Sequence, residues 1–112
     1  MTRIEAIIRP EALEKVKKVL DRAGYHGLTA IEVSGHGRQR GVTQTWRGGR
    51  YELDMLPKLM LILVVPDGKT SRVVKAITGA ARSGKVGDGK ISVSKVADAI
   101  RVRTGERGQK AL

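Results

Sequence analysis

The chain has 112 residues, with 22 Lys and Arg against 11 Asp and Glu, so its formal net charge is +11. This length predicts one domain with a modest core, because such a chain buries only about 60 to 68 per cent of its unfolded surface. The charge favours nucleic acid, anionic lipid, acidic proteins or nucleotide phosphates as partners, and the absence of cysteine excludes disulfides and thiolate metal sites.

The first 35 residues have the pattern of a β-α-β unit. Residues 2–9 alternate between apolar and polar positions, as a strand requires. Pro10 can open a helix and Gly24 can close it, and the apolar residues between them form one stripe. Residues 28–34 alternate again and form the second predicted strand.

The segment 35–57, GHGRQRGVTQTWRGGRYELDMLP, contains five glycines and four arginines and has no helix or strand pattern of useful length. Connections of about 20 residues without secondary structure are uncommon in compact domains and are usually functional or disordered. We therefore predict a mobile arm, whose posture a bound phosphate ligand would set.

The second half repeats the β-α-β pattern. Residues 59–65 are apolar at every position, which predicts a strand covered on both faces, one of them by a second subunit. A helix is predicted over 68–82, a glycine turn over 83–90, short strands over 91–96 and 99–103, and a loose polar tail from 104. This order predicts an α+β, ferredoxin-like β-α-β-β-α-β domain over 1–112 with both helices on one face of an antiparallel sheet.

The glycine turn matches G-x-x-x-x-G-K from Gly84 to Lys90, which suggests a phosphate loop. The next residue is Ile91 rather than Ser or Thr, and the turn leads from a helix to a strand rather than from a strand to a helix. These features exclude a nucleotide-hydrolysing loop. They leave a turn whose backbone N–H groups could cradle an anion beside Lys90, or an ordinary tight turn with solvated lysines.

Arg101 and Arg103 favour the anion-binding alternative. On a strand, two residues at this spacing point the same way about 6.6 Å apart and can grip neighbouring phosphoryl groups, with Ile100 and Val102 facing inward. With Arg38 and Lys90, three separate segments then supply cations for a polyphosphate. His26 and His36 are interpreted as surface residues, and we find no paired-carboxylate or metal-ligand spacing.

The chain resembles the PII family of nitrogen-regulatory signal proteins along nearly its whole length. The matching segments, in order, are IEAIIRP, GHGRQRG, WRGGRYELDMLPK, SGKVGDGKI and IRVRTGE. The resemblance implies a homotrimer with three clefts between neighbouring subunits. It further implies that each cleft binds ATP or ADP competitively, and that 2-oxoglutarate joins ATP through Mg²⁺.

The resemblance also implies a role for individual residues. The nucleotide-binding set comprises Ile7, Thr29, Gly35 and Val64 around the adenosine, Gly37, Arg38, Gly87, Gly89, Lys90, Arg101 and Arg103 around the phosphates, and Asp88. The 2-oxoglutarate set comprises Gln39, Gly41 and Lys58, and Gln39 is also the implied Mg²⁺ ligand.

The arm corresponds to the family's T-loop, about residues 36–57, and 104–112 to a C-terminal loop. The resemblance implies that Arg47 near the arm's tip contacts a partner, either an ammonium transporter or an enzyme of nitrogen metabolism, and that Tyr51 is the position that relatives nucleotidylate. A cytoplasmic, non-catalytic protein is expected, reaching a membrane only through a transporter. The opening MTRIEAIIRP is too short and too charged for a secretory signal.

Two alternatives remain open from the sequence. A basic ferredoxin-like nucleic-acid module would use the +11 charge, RGGRY and Trp46 as a stacking residue, although the family resemblance does not favour nucleic acid. A small phosphotransferase would need a positioned nucleophile, and the sequence suggests none.

Overall fold

The computed structural model describes residues 1–37, 43–46, 49–52 and 55–112. Its strands are β1 (Thr2–Ile8), β2 (Thr29–Gly35), β3 (Thr43–Trp46), β4 (Gly49–Glu52), β5 (Leu56–Val65) and β6 (Gly89–Lys95), and its helices are α1 (Leu13–Arg22) and α2 (Thr70–Ala81). Strands β2, β5, β1 and β6 form one antiparallel sheet in that order. This strand order confirms the predicted ferredoxin-like α+β plan.

Both helices pack on one face of the four-stranded sheet. Pro10 opens a single 3-10 turn that leads into α1, and Gly24 follows the helix with φ +86°, as its predicted closing role requires. The core joins alternate residues of the two central strands to one stripe from each helix, and its fully buried members are Ile4, Ala6, Val16, Leu61, Val73 and Ile77. The alternation along the strands and the apolar stripe along the helices therefore predicted the core residues correctly.

None of the helices in the described residues lies on the opposite face of the sheet. Residues 60, 62 and 64 of β5 and Ile7 of β1 are half-buried there, and Ile31 of β2 is 43% exposed. The β1–β6 half of this face is polar, with Arg3, Glu5 and Lys90 on it. The exposed apolar patch on the β2–β5 half marks an interaction surface more often than a solvated one.

Strand β5 starts three residues before its predicted beginning. Residues 56–58 pair with β2 but extend beyond the end of β1, whose last residue Ile8 pairs with Leu59. Pro57 is compatible with this position because β5 has a neighbour on only one side there. The extension places Lys58 at the end of the sheet.

The segment 35–57 contains secondary structure, so the prediction that it has none is wrong. Strands β3 and β4 pair antiparallel, from Thr43 opposite Glu52 to Trp46 opposite Gly49. The sequence TQTW is rich in residues that favour strands. The predicted response of the arm to a ligand stays a prediction.

The predicted strand over 99–103 is wrong as well. Ile100 makes a single bridge to Arg107, and Arg101 N–H donates to the carbonyl of Glu106 at 2.9 Å while Gly105 N–H donates back to Arg101 at 2.7 Å. The chain thus reverses around Gly105, which has φ +73°. Ile100 is 52% and Val102 fully exposed, so neither faces inward as predicted.

The tail is ordered rather than loose. Residues Gly108–Ala111 form a 3-10 turn, and Gly108 N–H donates to the carbonyl of Ala99 at 3.0 Å. Arg107 anchors the same segment through an ion pair of 2.8 Å with Asp98. In the part of the chain that the structure describes, no helix is long and apolar enough to cross a bilayer.

Candidate functional site

A cleft of about 590 Å³ opens at the end of the sheet where β2 and β5 extend past β1. This volume lies within the range of about 300 to 1,000 Å³ typical of small-molecule sites. The end of β2, the start of β5 and the turn at 83–90 form its walls. The lining includes seven residues of the predicted site, namely Ile7, Gly35, Gly37, Lys58, Gly87, Gly89 and Lys90.

Lys58 joins two walls of the cleft. Lys58 is only 9% exposed, and its Nζ donates a hydrogen bond of 2.7 Å to the carbonyl of Gly87. Burial, and then the nearby guanidinium of Arg9, lower the pKa of Lys58 from its ordinary value of 10.5. A carboxylate or phosphate close by would stabilise the charge of an ammonium group that is partly desolvated in this way.

Gly89 is required by close packing of the backbone. A Cβ built on it would lie 1.7 Å from the carbonyl oxygen of Ile7, and its φ of +109° suits only glycine. Gly87, with φ +102°, also adopts a conformation that favours glycine. The turn can therefore press against the end of β1 and present bare backbone at the cleft, beside Lys90.

Asp88 points away from this cleft and stabilises the turn. Its carboxylate accepts hydrogen bonds from the Ser83 hydroxyl, from the N–H groups of Ser83 and Gly84 at 2.8 Å each, and from Arg9 Nε at 3.1 Å. The Ser83 hydroxyl above all, and then these N–H groups, hold the pKa of Asp88 well below its usual range. Its predicted contact with a nucleotide stays a prediction, but its structural role is plain.

Thr29 and Val64 lie on the helix-free face of the sheet but do not line the cleft. Thr29 is six residues from Gly35 along β2, which corresponds to about 20 Å of strand. One chain therefore does not bring these two predicted adenosine residues to the cleft.

Arg101 and Arg103 do not line it either. The Arg101 guanidinium donates to the backbone carbonyl of Leu112 at 2.9 Å and lies 3.9 Å from the carboxylate of Glu106. Arg103 is exposed in the C-terminal turn. The predicted pairing of the two arginines on one strand face is wrong, because these residues form a turn.

Five predicted residues cannot be placed in the cleft from the structure. Arg38, Gln39, Gly41 and Arg47 lie outside the described residues, and Tyr51 is described only as part of the backbone of β4. Within the described ranges, no group of three or more His, Asp or Glu side chains could hold a metal ion. The described residues therefore supply anion-binding groups and leave the proposed Mg²⁺ ligand to Gln39.

Sequence reasoning missed several residues of the site. His36, Leu56 and Val86 also line the cleft, and Arg9 binds the turn from the end of β1, with Nη2 2.6 Å from the carbonyl of Val86. Val86 and Ser83 lie inside the predicted turn, so their position there was a usable signal. Arg9 is 79 residues from Asp88, and no local pattern indicates their contact.

The fold and the cleft define a ferredoxin-like α+β domain with a basic, glycine-lined pocket at one end of its sheet. The family model described as nitrogen regulatory protein P-II matches residues 1–106, and the chain belongs to this family. The chain is 50% identical over 112 residues to a nitrogen regulatory protein P-II of Rhodobacter capsulatus, with both chains covered completely. It is equally identical to a nitrogen regulatory protein P-II 2 of Methanothermobacter thermautotrophicus, covering 100% of this chain and 97% of the relative.

A third relative, the nitrogen regulatory protein P-II of Rhodospirillum rubrum, is 47% identical over the full length of both chains. The resemblance inferred from the sequence motifs is thus confirmed. Members of this family are signal transducers, and membership assigns the chain to nitrogen-regulation signalling.

Proposed function

We propose that this protein is a cytoplasmic, non-catalytic sensor that binds ATP or ADP and 2-oxoglutarate and controls its targets through the segment 36–57, the T-loop. The observation that carries this proposal is the convergence of six predicted nucleotide residues and Lys58 on one cleft. These residues come from four separate parts of the sequence. The cleft is large enough for a small-molecule ligand.

The turn at 83–90 is suited to the phosphates. Gly87 and Gly89 leave backbone N–H groups uncovered by side chains, and such groups form anion-binding concavities in turns with positive φ. Lys90 adds a charge next to them. Backbone donors combined with a lysine bind phosphate without needing the hydrolytic apparatus of a phosphate loop.

A homotrimer would complete the site. The β2–β5 half of the helix-free face is apolar and half-exposed, and Thr29, Val64, Arg101 and Arg103 lie away from the cleft of their own chain. We propose that three copies bury this face and that a neighbouring copy supplies the missing contacts to each nucleotide. An obligate interface of this kind is more apolar than an ordinary protein surface.

Lys58 is the proposed partner of a 2-oxoglutarate carboxylate, with Gly41 offering backbone and Gln39 holding Mg²⁺ between the effector and ATP. Binding would then draw Gln39, at the root of the arm, toward the cleft. The arm would leave its partner, an ammonium transporter or an enzyme of nitrogen metabolism, which Arg47 would contact. Tyr51 is the proposed modification site. If 2-oxoglutarate weakens binding of the partner, linkage requires the partner to weaken binding of 2-oxoglutarate by the same factor. Such a coupling is typically about 1 to 3 kcal/mol.

Calorimetry on a sample whose mass in solution has been measured tests this proposal. We expect a trimer that binds ATP and ADP competitively, and 2-oxoglutarate only with ATP and Mg²⁺. Trp46 fluorescence should report each addition from the arm. Gln39→Ala should keep ATP binding and lose the 2-oxoglutarate response. A monomer, or indifference to millimolar adenine nucleotide, would overturn the proposal.

The nucleic-acid alternative has one observation in its favour. Five exposed cations, Lys69, Arg72, Lys75, Arg82 and Lys85, lie on or beside α2, which contains no acidic residue. Such a module would bind oligonucleotides with steep salt dependence and would ignore 2-oxoglutarate. A gel shift over a salt series, beside the calorimetry, separates the two functions.

A further inference from the structure

The side chain of Asp88 stabilises the turn at 83–90, to which it belongs, by hydrogen bonds. The Asp88 carboxylate accepts from two successive N–H groups, those of Ser83 and Gly84, and from the Ser83 hydroxyl. These contacts close the beginning of the turn onto its end.

Arg9 fastens this closed turn to the sheet. Its Nε donates to Asp88 Oδ1 at 3.1 Å and its Nη2 to the carbonyl of Val86 at 2.6 Å, so one guanidinium holds two points of the turn. Arg9 directly follows β1 and is fixed in place by the packed end of that strand. The side chains of Arg9 and Asp88 are only 17% and 23% exposed, which protects their ion pair from solvent.

We propose that Arg9 and Asp88 are positioning residues that preorganise the turn for a phosphoryl ligand without touching that ligand. This inference rests on the proposed function and gives Asp88 a role other than the nucleotide contact that the family resemblance implies. A turn containing Gly84, Gly87 and Gly89 has high conformational entropy when it is free. If Arg9 and Asp88 fix the turn before the ligand arrives, ordering of the turn costs no conformational entropy in the binding step. Gly87 and Gly89 then already have the conformation that binds the phosphates.

We call the contacts of Arg9 and Asp88 with the turn at 83–90 the clamp. Amide hydrogen exchange tests the clamp in the ligand-free protein. Asp88→Asn keeps the size of the side chain but removes the charge that the N–H groups of Ser83 and Gly84 bind. We expect exchange of these two amides to accelerate at least tenfold in this variant and in Arg9→Gln, with β1 and β5 unchanged. Asp21→Asn is the matched control, because Asp21 belongs to an exposed ion pair with His26 far from the turn.

Positioning is tested by comparing ATP with adenosine, which lacks phosphates. Calorimetry should show ATP binding about tenfold weaker in each variant, the scale of one charge-assisted hydrogen bond, and adenosine binding unchanged. General loss of structure would weaken both ligands. The double variant should lose little more than either single variant, because the two residues act as a unit.

The outcomes separate this inference from the proposed function. If the unmodified protein ignores ATP, the proposed function fails and the inference falls with it, although the exchange data still measure the clamp. If the unmodified protein binds ATP and both variants bind it equally well, the function stands and the positioning role is refuted. Equal weakening of ATP and adenosine would also refute it.

Discussion

Replacing Gly89 with alanine should separate the turn at 83–90 from the sheet. The new Cβ would lie 1.7 Å from the carbonyl oxygen of Ile7 and 2.7 Å from its carbonyl carbon, both backbone atoms that no rotamer change can move. The backbone conformation, φ +109°, adds about 1 to 2 kcal/mol for any residue with a Cβ. Overpacking adds about 1 to 3 kcal/mol more. We therefore expect Gly89→Ala to destabilise the fold by about 3 kcal/mol.

Gly84→Ala is the matched control. Gly84 has a similar conformation, φ +86°, but a Cβ on it would meet nothing within 4 Å. Only the conformational cost of about 1 to 2 kcal/mol applies there. The two variants share the same turn and the same added methyl group, so their difference isolates the contact with Ile7.

Thermal unfolding monitored by circular dichroism measures that difference. A gap of about 2 kcal/mol corresponds to roughly 8 °C in Tm for a domain of this size. Both variants must be compared at one protein concentration, since association stabilises a folded oligomer. Equal midpoints for Gly89→Ala and Gly84→Ala would show that Gly89 does not approach the Ile7 carbonyl closely, and would contradict the position of this wall of the cleft.

Three further predictions concern charge, assembly and the effector. Asp67 has a pKa of about 2, lowered from 3.8 chiefly by a hydrogen bond from Thr2. Its stabilising effect is therefore present above pH 3.8 and lost as the pH falls towards 2. In acid unfolding curves Asp67→Asn should show a weaker pH dependence in this range, and an unchanged curve would contradict this. Ile62→Lys places a charge on the helix-free sheet face and should yield a monomer by light scattering that no longer binds ATP; a nucleotide-binding trimer would contradict the proposed assembly. Lys58→Gln should retain ATP binding within about tenfold and lose 2-oxoglutarate binding, as measured by calorimetry; undiminished effector binding would remove Lys58 from the site.

The sheet and the two helices could be predicted from the sequence because their patterns are local. Ile4, Ala6 and Ile8 alternate along β1, and Val73 and Ile77 lie one helical turn apart, so each element shows its buried face within a few residues. The fold class then followed from the order of the elements. Their boundaries shifted by a few residues, as at the beginning of β5.

The C-terminal segment shows where a local pattern misleads. The residues Ile100, Arg101, Val102 and Arg103 alternate like a strand, but a strand needs a neighbour to pair with, and β6 remains the edge of the sheet. The hydrogen bonds around Gly105 give the segment a turn instead. The choice depends on contacts with residues further along the chain, which the period of two does not encode.

The site itself was only half predictable for the same reason. Glycines and lysines in a short turn indicate an anion-binding loop, and the motif comparison supplied the partners across the cleft. The supports of the turn come from the ends of β1 and β5, at Arg9 and Lys58, and they meet the turn only after the sheet has formed. The sequence therefore indicated the residues proposed to meet the ligand more readily than the residues that hold the turn in place.

The placement of Lys58 suggests why one turn can serve two ligands. Its ammonium group is bonded to the carbonyl of Gly87, within the turn proposed to hold the phosphates, and it is also the proposed partner of the 2-oxoglutarate carboxylate. An effector that draws Lys58 toward itself changes what supports Gly87, whereas Arg9 and Asp88 keep the rest of the turn fixed. The coupling between the two proposed ligands would then include the hydrogen bond from Lys58 to Gly87 at the cleft wall. A coupling of about 1 to 3 kcal/mol is of the size that one such charged contact supplies.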